Sequence, residues 1–264
     1  MPSSIDRLLS IMTRLRDRDN GCPWDLEQSF ATIAPHTLEE AFEVVEAIET
    51  GDLASLKDEL GDLLFQIVFY AQMAKEQGAF DFEQIAETIS DKMIRRHPHV
   101  FGDADIPDAD AQTIAWEAQK AAEREARQET GVLDGVSVAL PSLTRAVKLQ
   151  KRAARVGFDW PHAGLVLDKL AEEIGELQAE MRDTPDPDRL RDEMGDILFV
   201  CANLARKLDI DPESALRQGN RKFERRFRHI EESLRAQGRK PDDSSLQEME
   251  ALWQDAKRLE KANV

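Results

Sequence analysis

Four carboxylates in the second half of the chain are spaced for joint chemistry: Glu173 with Glu176, and Glu193 with Asp196. Residues three apart lie on one face of an α-helix, so each pair forms two neighbouring carboxylates. Two such helices packed antiparallel would converge all four on one spot. Like charges there repel by up to a few kcal/mol per pair at an effective dielectric of about 20, so the cluster calls for a compensating cation. An all-oxygen donor set suits a hard ion, Mg2+ first and Mn2+ as a substitute. The bland reading is that acids decorate solvated helix faces. With 52 acids in 264 residues, pairs three apart arise by chance about ten times. Recurrence argues against chance: Glu40, Glu43, Glu59 and Asp62 repeat the pattern in the first half, with Glu59 16 residues after Glu43 and Glu193 17 after Glu176.

Basic residues follow in the same order. Lys222, Arg225 and Arg226 come one helix later, and Lys257 stands one turn after Trp253; such groups bind the negative oxygens of a polyphosphate. Lys92, Arg95, Arg96, Trp116 and Lys120 are their first-half counterparts. The competing role for these cations is pairing with surface acids, and for Trp116 and Trp253 it is core packing. The halves differ at two places. Lys169 stands one turn before Glu173 and Arg189 one turn before Glu193, where the first half has His36 and Ser55. The second half therefore has two more cations on its acidic face and is the favoured catalytic repeat.

The elements that must position these groups are also written twice. Gly21-Cys22-Pro23-Trp24 is echoed by Gly157-Phe158-Asp159-Trp160, and Glu59-Leu60-Gly61-Asp62-Leu63-Leu64-Phe65 by Glu193-Met194-Gly195-Asp196-Ile197-Leu198-Phe199. The expected architecture is all-α: two tandem helical-bundle repeats, residues 1–130 and 131–264, of about five helices each. Thr37 with Glu40 reads as a capping box opening the helix that bears Glu40 and Glu43, and Gly51-Asp52 ends it. Residues 183–188, with Pro185 and Pro187, read as the matching turn, and residues 102–110 as an exposed loop. Gly61 and Gly195 interrupt the acid-bearing helices at a cost of about 1 kcal/mol each, for which a close helix approach is the expected reason.

Composition narrows the partners. Hydrophobic residues make up 41% and charged residues 33%, with few glycines and prolines, a globular, helix-rich mixture. A net charge of −17 argues against long nucleic acids and anionic membranes. Two cysteines without CxxC spacing, no leader-like N-terminus and no apolar run of membrane length read as a soluble cytoplasmic protein.

The run Leu38-Glu39-Glu40-Ala41-Phe42-Glu43 followed by Glu59-Leu60-Gly61-Asp62-Leu63-Leu64-Phe65-Gln66 resembles the MazG family of bacterial nucleoside triphosphate pyrophosphohydrolases. Gly21-Cys22-Pro23-Trp24-Asp25, Arg95-Arg96-His97-Pro98-His99-Val100-Phe101, Val156-Gly157-Phe158-Asp159-Trp160 and Lys222-Phe223-Glu224-Arg225-Arg226-Phe227 are similar to the same family, so the resemblance covers nearly the whole chain. It implies an all-α fold shared with dimeric dUTPases, a homodimer, Mg2+ dependence and broad action on NTPs and dNTPs. On this resemblance Glu173, Glu176, Glu193 and Asp196 are the metal ligands, and Lys169, Arg189, Lys222, Arg226 and Trp253 match the substrate-binding pattern. Whether the first repeat is a second active site or a scaffold stays open.

The expected chemistry is attack of water on the α-phosphorus with pyrophosphate leaving, a carboxylate acting as general base. A di-iron carboxylate bundle is a rival, but it needs Glu-x-x-His, and none of the five histidines follows a Glu by three. A non-catalytic helical scaffold is a second rival, and within the enzyme class a narrow dUTPase-like specificity competes with broad action.

Overall fold

The computed structural model describes residues 3–108, 111–112, 115–116, 119, 123, 131–182 and 185–262. Among these, every regular element is helical, as the composition predicts. The chain divides into two compact units, residues 1–120 and 121–264. The expected junction at 130–131 falls at the edge of a stretch outside the described residues, and Lys120 itself lies outside them.

The first unit contains α1 (Ser4–Leu15), α2 (Pro23–Glu27), α3 (Phe30–Thr50), α4 (Leu53–Glu76), α5 (Phe82–Arg96) and the single turn α6 (Pro98–Phe101). The acid-bearing pair α3 and α4 form its backbone, with α1 and α5 packed on α4. Met12, Ile33, Val68, Phe69 and Met73 make the buried core, flanked by Ile5, Leu8, Leu9, Phe65, Tyr70 and Phe82. The hairpin between α3 and α4 is short. Gly51 takes a left-handed φ of 74°, a conformation glycine adopts without steric cost. Asp52 then caps α4, its Oδ1 accepting from the backbone N–H groups of Ala54 (3.0 Å) and Ser55 (3.1 Å).

Helix α3 begins seven residues before the capping box read from Thr37. Ser29 is the N-cap and shares reciprocal hydrogen bonds with Thr32, while the Phe30 ring stacks on Tyr70 at 5.8 Å. These contacts hold the first turns despite Pro35, whose missing N–H would otherwise argue for a later start. Thr37 lies inside the helix, its hydroxyl 2.8 Å from the Tyr70 hydroxyl.

The second unit contains α7 (Ser142–Ala154), α8 (Ala163–Glu180), α9 (Pro187–Lys207), α10 (Pro212–Ala236), a 3-10 turn (Pro241–Asp243) and α11 (Leu246–Ala262). Helices α8 and α9 form its acid-bearing hairpin, α7 packs on α9 and α10, and α11 lies along α10. Helix α9 starts inside the turn expected over 183–188, of which 183–184 lie outside the described residues. Pro187 occupies its first position, with Asp186 as the cap, because a proline loses nothing where the N–H has no helical partner. Asp211-Pro212 opens α10 in the same way. No helix among the described residues is long and apolar enough to cross a membrane.

The glycine expectation fails within the chain. A Cβ at Gly61 or Gly195 would meet nothing within 4 Å, so among the described residues no helix of its own unit approaches there. These glycines border an open, apolar flank instead. Leu60, Leu64 and Ile67 on α4, and their counterparts Met194 and Leu198 on α9, are exposed, as are Leu167, Ile174 and Met181 along α8. Each stripe recurs at helical spacing and faces away from its own unit's core.

Candidate active site

The α8/α9 hairpin brings the predicted acids together. Carboxylate oxygens of Glu173, Glu193 and Asp196 all lie within 4.8 Å of one another. Glu176 belongs to the same cluster electrostatically: loss of water contact raises its pKa first, and Glu173 beside it raises it further. Glu193 is also held above the ordinary carboxylate value, by loss of water contact and then by Glu176, Glu173 and Asp196. Glu173 is buried, unusual for a glutamate unless it is paired. Its partner is Lys169, whose Nζ lies 2.7 Å from Glu173 Oε1 and 2.7 Å from Glu172 Oε1. Hydrogen bonds to Glu172 and then Glu173 raise the ammonium's pKa and hold its charge. Hard oxygens from several carboxylates at this spacing fit an Mg2+ or Mn2+ ion and suit no thiophilic metal.

Arg189 does not join them. Its guanidinium pairs with Glu180 at 3.0 Å, one helical hairpin end away from Glu193, because Glu180 closes α8 beside the start of α9. Glu172, Glu180 and Glu260 do not stand out in the sequence. Glu172 carries a local signal, three residues after Lys169; Glu260 has none, since its partners lie 34 and 35 residues away.

The remaining cations sit on α10 and α11. Arg225 and Arg226 both pair with Glu260 at 2.7 Å, and the Arg226 guanidinium also lies over the Trp253 ring, 5.4 Å from its centre. Trp253 is half-buried and packs on Phe223 at 5.3 Å. Lys222 is exposed and lines a groove of about 450 Å3 with Arg221, Arg225 and Gly219. Lys257 is half-buried on α11. Among the described residues no ion pair links this basic set to the acids of α8 and α9, so the chain presents a carboxylate cluster and a separate cationic and aromatic platform.

The first unit reproduces the acids but not the two cations that stand one turn before them, at the places of Lys169 and Arg189. Glu40, Glu43 and Glu59 place oxygens within 4.8 Å of one another, and Asp62 acts on Glu40 and Glu59. Here the member outside the tight group is Asp62, whereas in the second unit it is Glu176. Loss of water contact followed by the neighbouring acids raises the pKa values of Glu40 and Glu59. His36, at the place of Lys169, faces Glu39 at 3.6 Å, and Ser55, at the place of Arg189, is spent on Asp52. Lys92, Arg95 and Arg96 lie on α5. Trp116 donates its Nε1–H to the Arg96 carbonyl at 3.1 Å and packs edge-on against His97, a packing role of the kind weighed for it from sequence.

Comparison with known proteins agrees with this geometry. The family model described as the MazG nucleotide pyrophosphohydrolase domain matches residues 28–101 and 164–231, one segment over each acid-bearing hairpin. A nucleoside triphosphate pyrophosphohydrolase of Escherichia coli K12 is 52% identical over 259 residues, covering 98% of both chains. The nucleoside triphosphate pyrophosphohydrolase/pyrophosphatase MazG of Thermotoga maritima is 39% identical over 252 residues, 96% of this chain and 95% of that one. A nucleoside triphosphate pyrophosphohydrolase of Mycobacterium tuberculosis is 30% identical over 217 residues, 78% of this chain and 65% of that one. With a match on each hairpin and relatives aligned along nearly its full length, the chain belongs to the MazG nucleotide pyrophosphohydrolase family.

Proposed function

We propose that the second repeat hydrolyses nucleoside triphosphates, NTPs and dNTPs alike, to the monophosphate and pyrophosphate, acting as a cytoplasmic homodimer. The observation that carries this reading is the convergence of Glu173, Glu193 and Asp196 oxygens within 4.8 Å beside the Lys169 ammonium. Glu173, Glu176, Glu193 and Asp196 would hold Mg2+, or Mn2+ in its place. Bound there with the triphosphate, the ion supplies charge compensation and an acidified water.

The chain's own groups do the rest. Water attacks the α-phosphorus, the bond to the α–β bridging oxygen breaks, and pyrophosphate leaves; the water's proton passes to a carboxylate of the cluster. Lys169 stands where it can trade Glu173 for phosphate oxygens, and Lys222, Arg225, Arg226 and Lys257 neutralise the leaving group. Trp253, braced by Phe223 and Arg226, offers a ring face to the nucleoside. The dimer is supported by the exposed stripes of α4, α8 and α9 and by the open surroundings of Gly61 and Gly195, because a monomer rarely leaves such continuous apolar faces in water.

The test is product analysis. Purified protein is mixed with a panel of NTPs and dNTPs, with and without Mg2+, and monophosphate, diphosphate, pyrophosphate and orthophosphate are scored. Monophosphate with pyrophosphate, in the presence of metal only, is the expected result. Diphosphate with orthophosphate would mean attack at the γ-phosphorus, and no turnover on any member of the panel would leave the non-catalytic scaffold.

A further inference from the structure

Two neighbouring carboxylates on α8 share one ammonium and stand in different surroundings. Glu173 has a carboxylate oxygen within 4.8 Å of those of Glu193 and Asp196, and its side chain is 6% exposed. Glu172, one residue earlier, is turned about 100° round the helix from it, and its side chain is 57% exposed. Lys169 reaches both: its Nζ lies 2.7 Å from Glu172 Oε1 and 2.7 Å from Glu173 Oε1. An ammonium has three N–H donors, so these bonds leave one for another acceptor. The first repeat builds the outer arm as well, with Glu39 facing His36 at 3.6 Å in the places of Glu172 and Lys169.

The two bonds fare differently when a divalent ion enters the cluster. An ion on Glu173 takes that carboxylate from Lys169 and puts a like charge beside the ammonium. A lysine carries its charge on a flexible stem, so without a second anchor the ammonium swings out to water, away from the phosphates it has to meet. Glu172 lies outside the tight cluster and keeps its charge through the exchange. An exposed pair three residues apart supplies a bias of only a few-fold, which is enough to choose among solvated conformers of similar energy.

We propose that Glu172 is a positioning residue for Lys169: it tethers the ammonium at the edge of the cluster while the ion displaces it from Glu173, so that the freed N–H donors meet the triphosphate. Glu172 touches neither ion nor phosphate and acts only through Lys169. The proposal rests on the reading of the second repeat as the hydrolytic site, and its sign separates it from bare electrostatics. Removing a negative charge beside a polyphosphate site strengthens anion binding; removing a tether weakens it.

The experiment measures binding of α,β-methylene-ATP, which the proposed cleavage cannot cut, to the full chain in saturating Mg2+ by isothermal titration calorimetry. Glu172→Gln, which keeps the size of the side chain and loses its charge, is expected to raise the dissociation constant about threefold, and Lys169→Met about tenfold or more. In the double variant Glu172→Gln adds less than about 1.5-fold to the loss from Lys169→Met, because the tether then has nothing to hold. Circular dichroism checks that each variant folds; should Lys169→Met not fold, the sign of the Glu172→Gln effect decides. The inference is overturned if Glu172→Gln binds the analogue as tightly as wild type or tighter, or if it costs the same factor with and without Lys169. A wild type that binds the analogue with the variants ranked as above, yet turns over no triphosphate, refutes the hydrolytic chemistry and upholds the tether; a wild type that binds no analogue overturns both.

Discussion

Leu198 is the residue through which the proposed dimer is most directly tested. It belongs with Met194 to the exposed stripe of α9 and is 51% exposed. Full burial of a leucine side chain is worth about 2 kcal/mol, so covering the exposed half contributes about 1 kcal/mol per copy. A two-fold interface uses the same patch from both subunits, and Leu198→Ala therefore removes about 2 kcal/mol, roughly a 30-fold rise in the dimer dissociation constant. Leu198→Asp adds the desolvation of a carboxylate on each side, several kcal/mol more, and is expected to yield monomer at micromolar concentration. Sedimentation equilibrium on the full chain reads this, with Val138→Asp as the control, since Val138 is 83% exposed and lies outside the helices. A wild type that sediments as monomer refutes the reasoning. So does a Leu198→Asp protein that remains dimeric, or a Val138→Asp protein that dissociates equally.

Glu193→Gln is expected to reduce triphosphate turnover to background while leaving the melting temperature without metal unchanged or higher, since it removes repulsion from Glu173, Glu176 and Asp196; measurable turnover would remove Glu193 from the chemistry. The raised pKa values of Glu176 and Glu193, above an ordinary 4.5, set a pH dependence whose sign is fixed. The folded state keeps protons that the unfolded state has already lost, so this contribution to stability is present at low pH and fades as pH rises through the raised folded values. In EDTA the melting temperature of wild type relative to Glu193→Gln should rise on acidifying from pH 7 to 5, while the Mg2+-induced increase shrinks over the same range because protons compete for the same oxygens; a flat difference would contradict it. Phe69→Ala, at a fully buried site in the α1/α4 core, should cost about 3–5 kcal/mol by chemical denaturation. A loss below about 1 kcal/mol would mean that the core is not packed as described.

Much of the architecture was legible because the chain repeats itself. Spacing alone placed Glu173, Glu193 and Asp196 on facing helices, and the same spacing placed Glu40, Glu43 and Glu59. Local rules failed where tertiary contact overrode them. Thr37 and Glu40 form a reasonable capping pair, yet Ser29 and the Phe30–Tyr70 stack start the helix earlier and carry it through Pro35. Gly61 and Gly195 point to something beside the acids, but among the described residues of each unit what lies beside them is open space. Arg189 was assigned by its turn on α9, and the end of α8 supplied a nearer carboxylate. The pairing of Arg225 and Arg226 with Glu260 joins residues too far apart in sequence for any periodicity to report.

The ion pairs of the second repeat give its proposed site a threshold. Arg225 and Arg226 start out bound to Glu260, and Lys169 to Glu172 and Glu173, so an incoming anion finds few unclaimed cations and must outcompete resident carboxylates. On the proposed reading, a triphosphate, carrying dense charge and arriving with a metal that would take over Glu173, can make that exchange. A monophosphate or a lone orthophosphate, with less charge and no such metal, exchanges poorly. On the proposed reading, the same internal partners that hold these cations before substrate arrives reclaim them once the triphosphate has been cut, and the split products are dismissed by the carboxylates they had displaced.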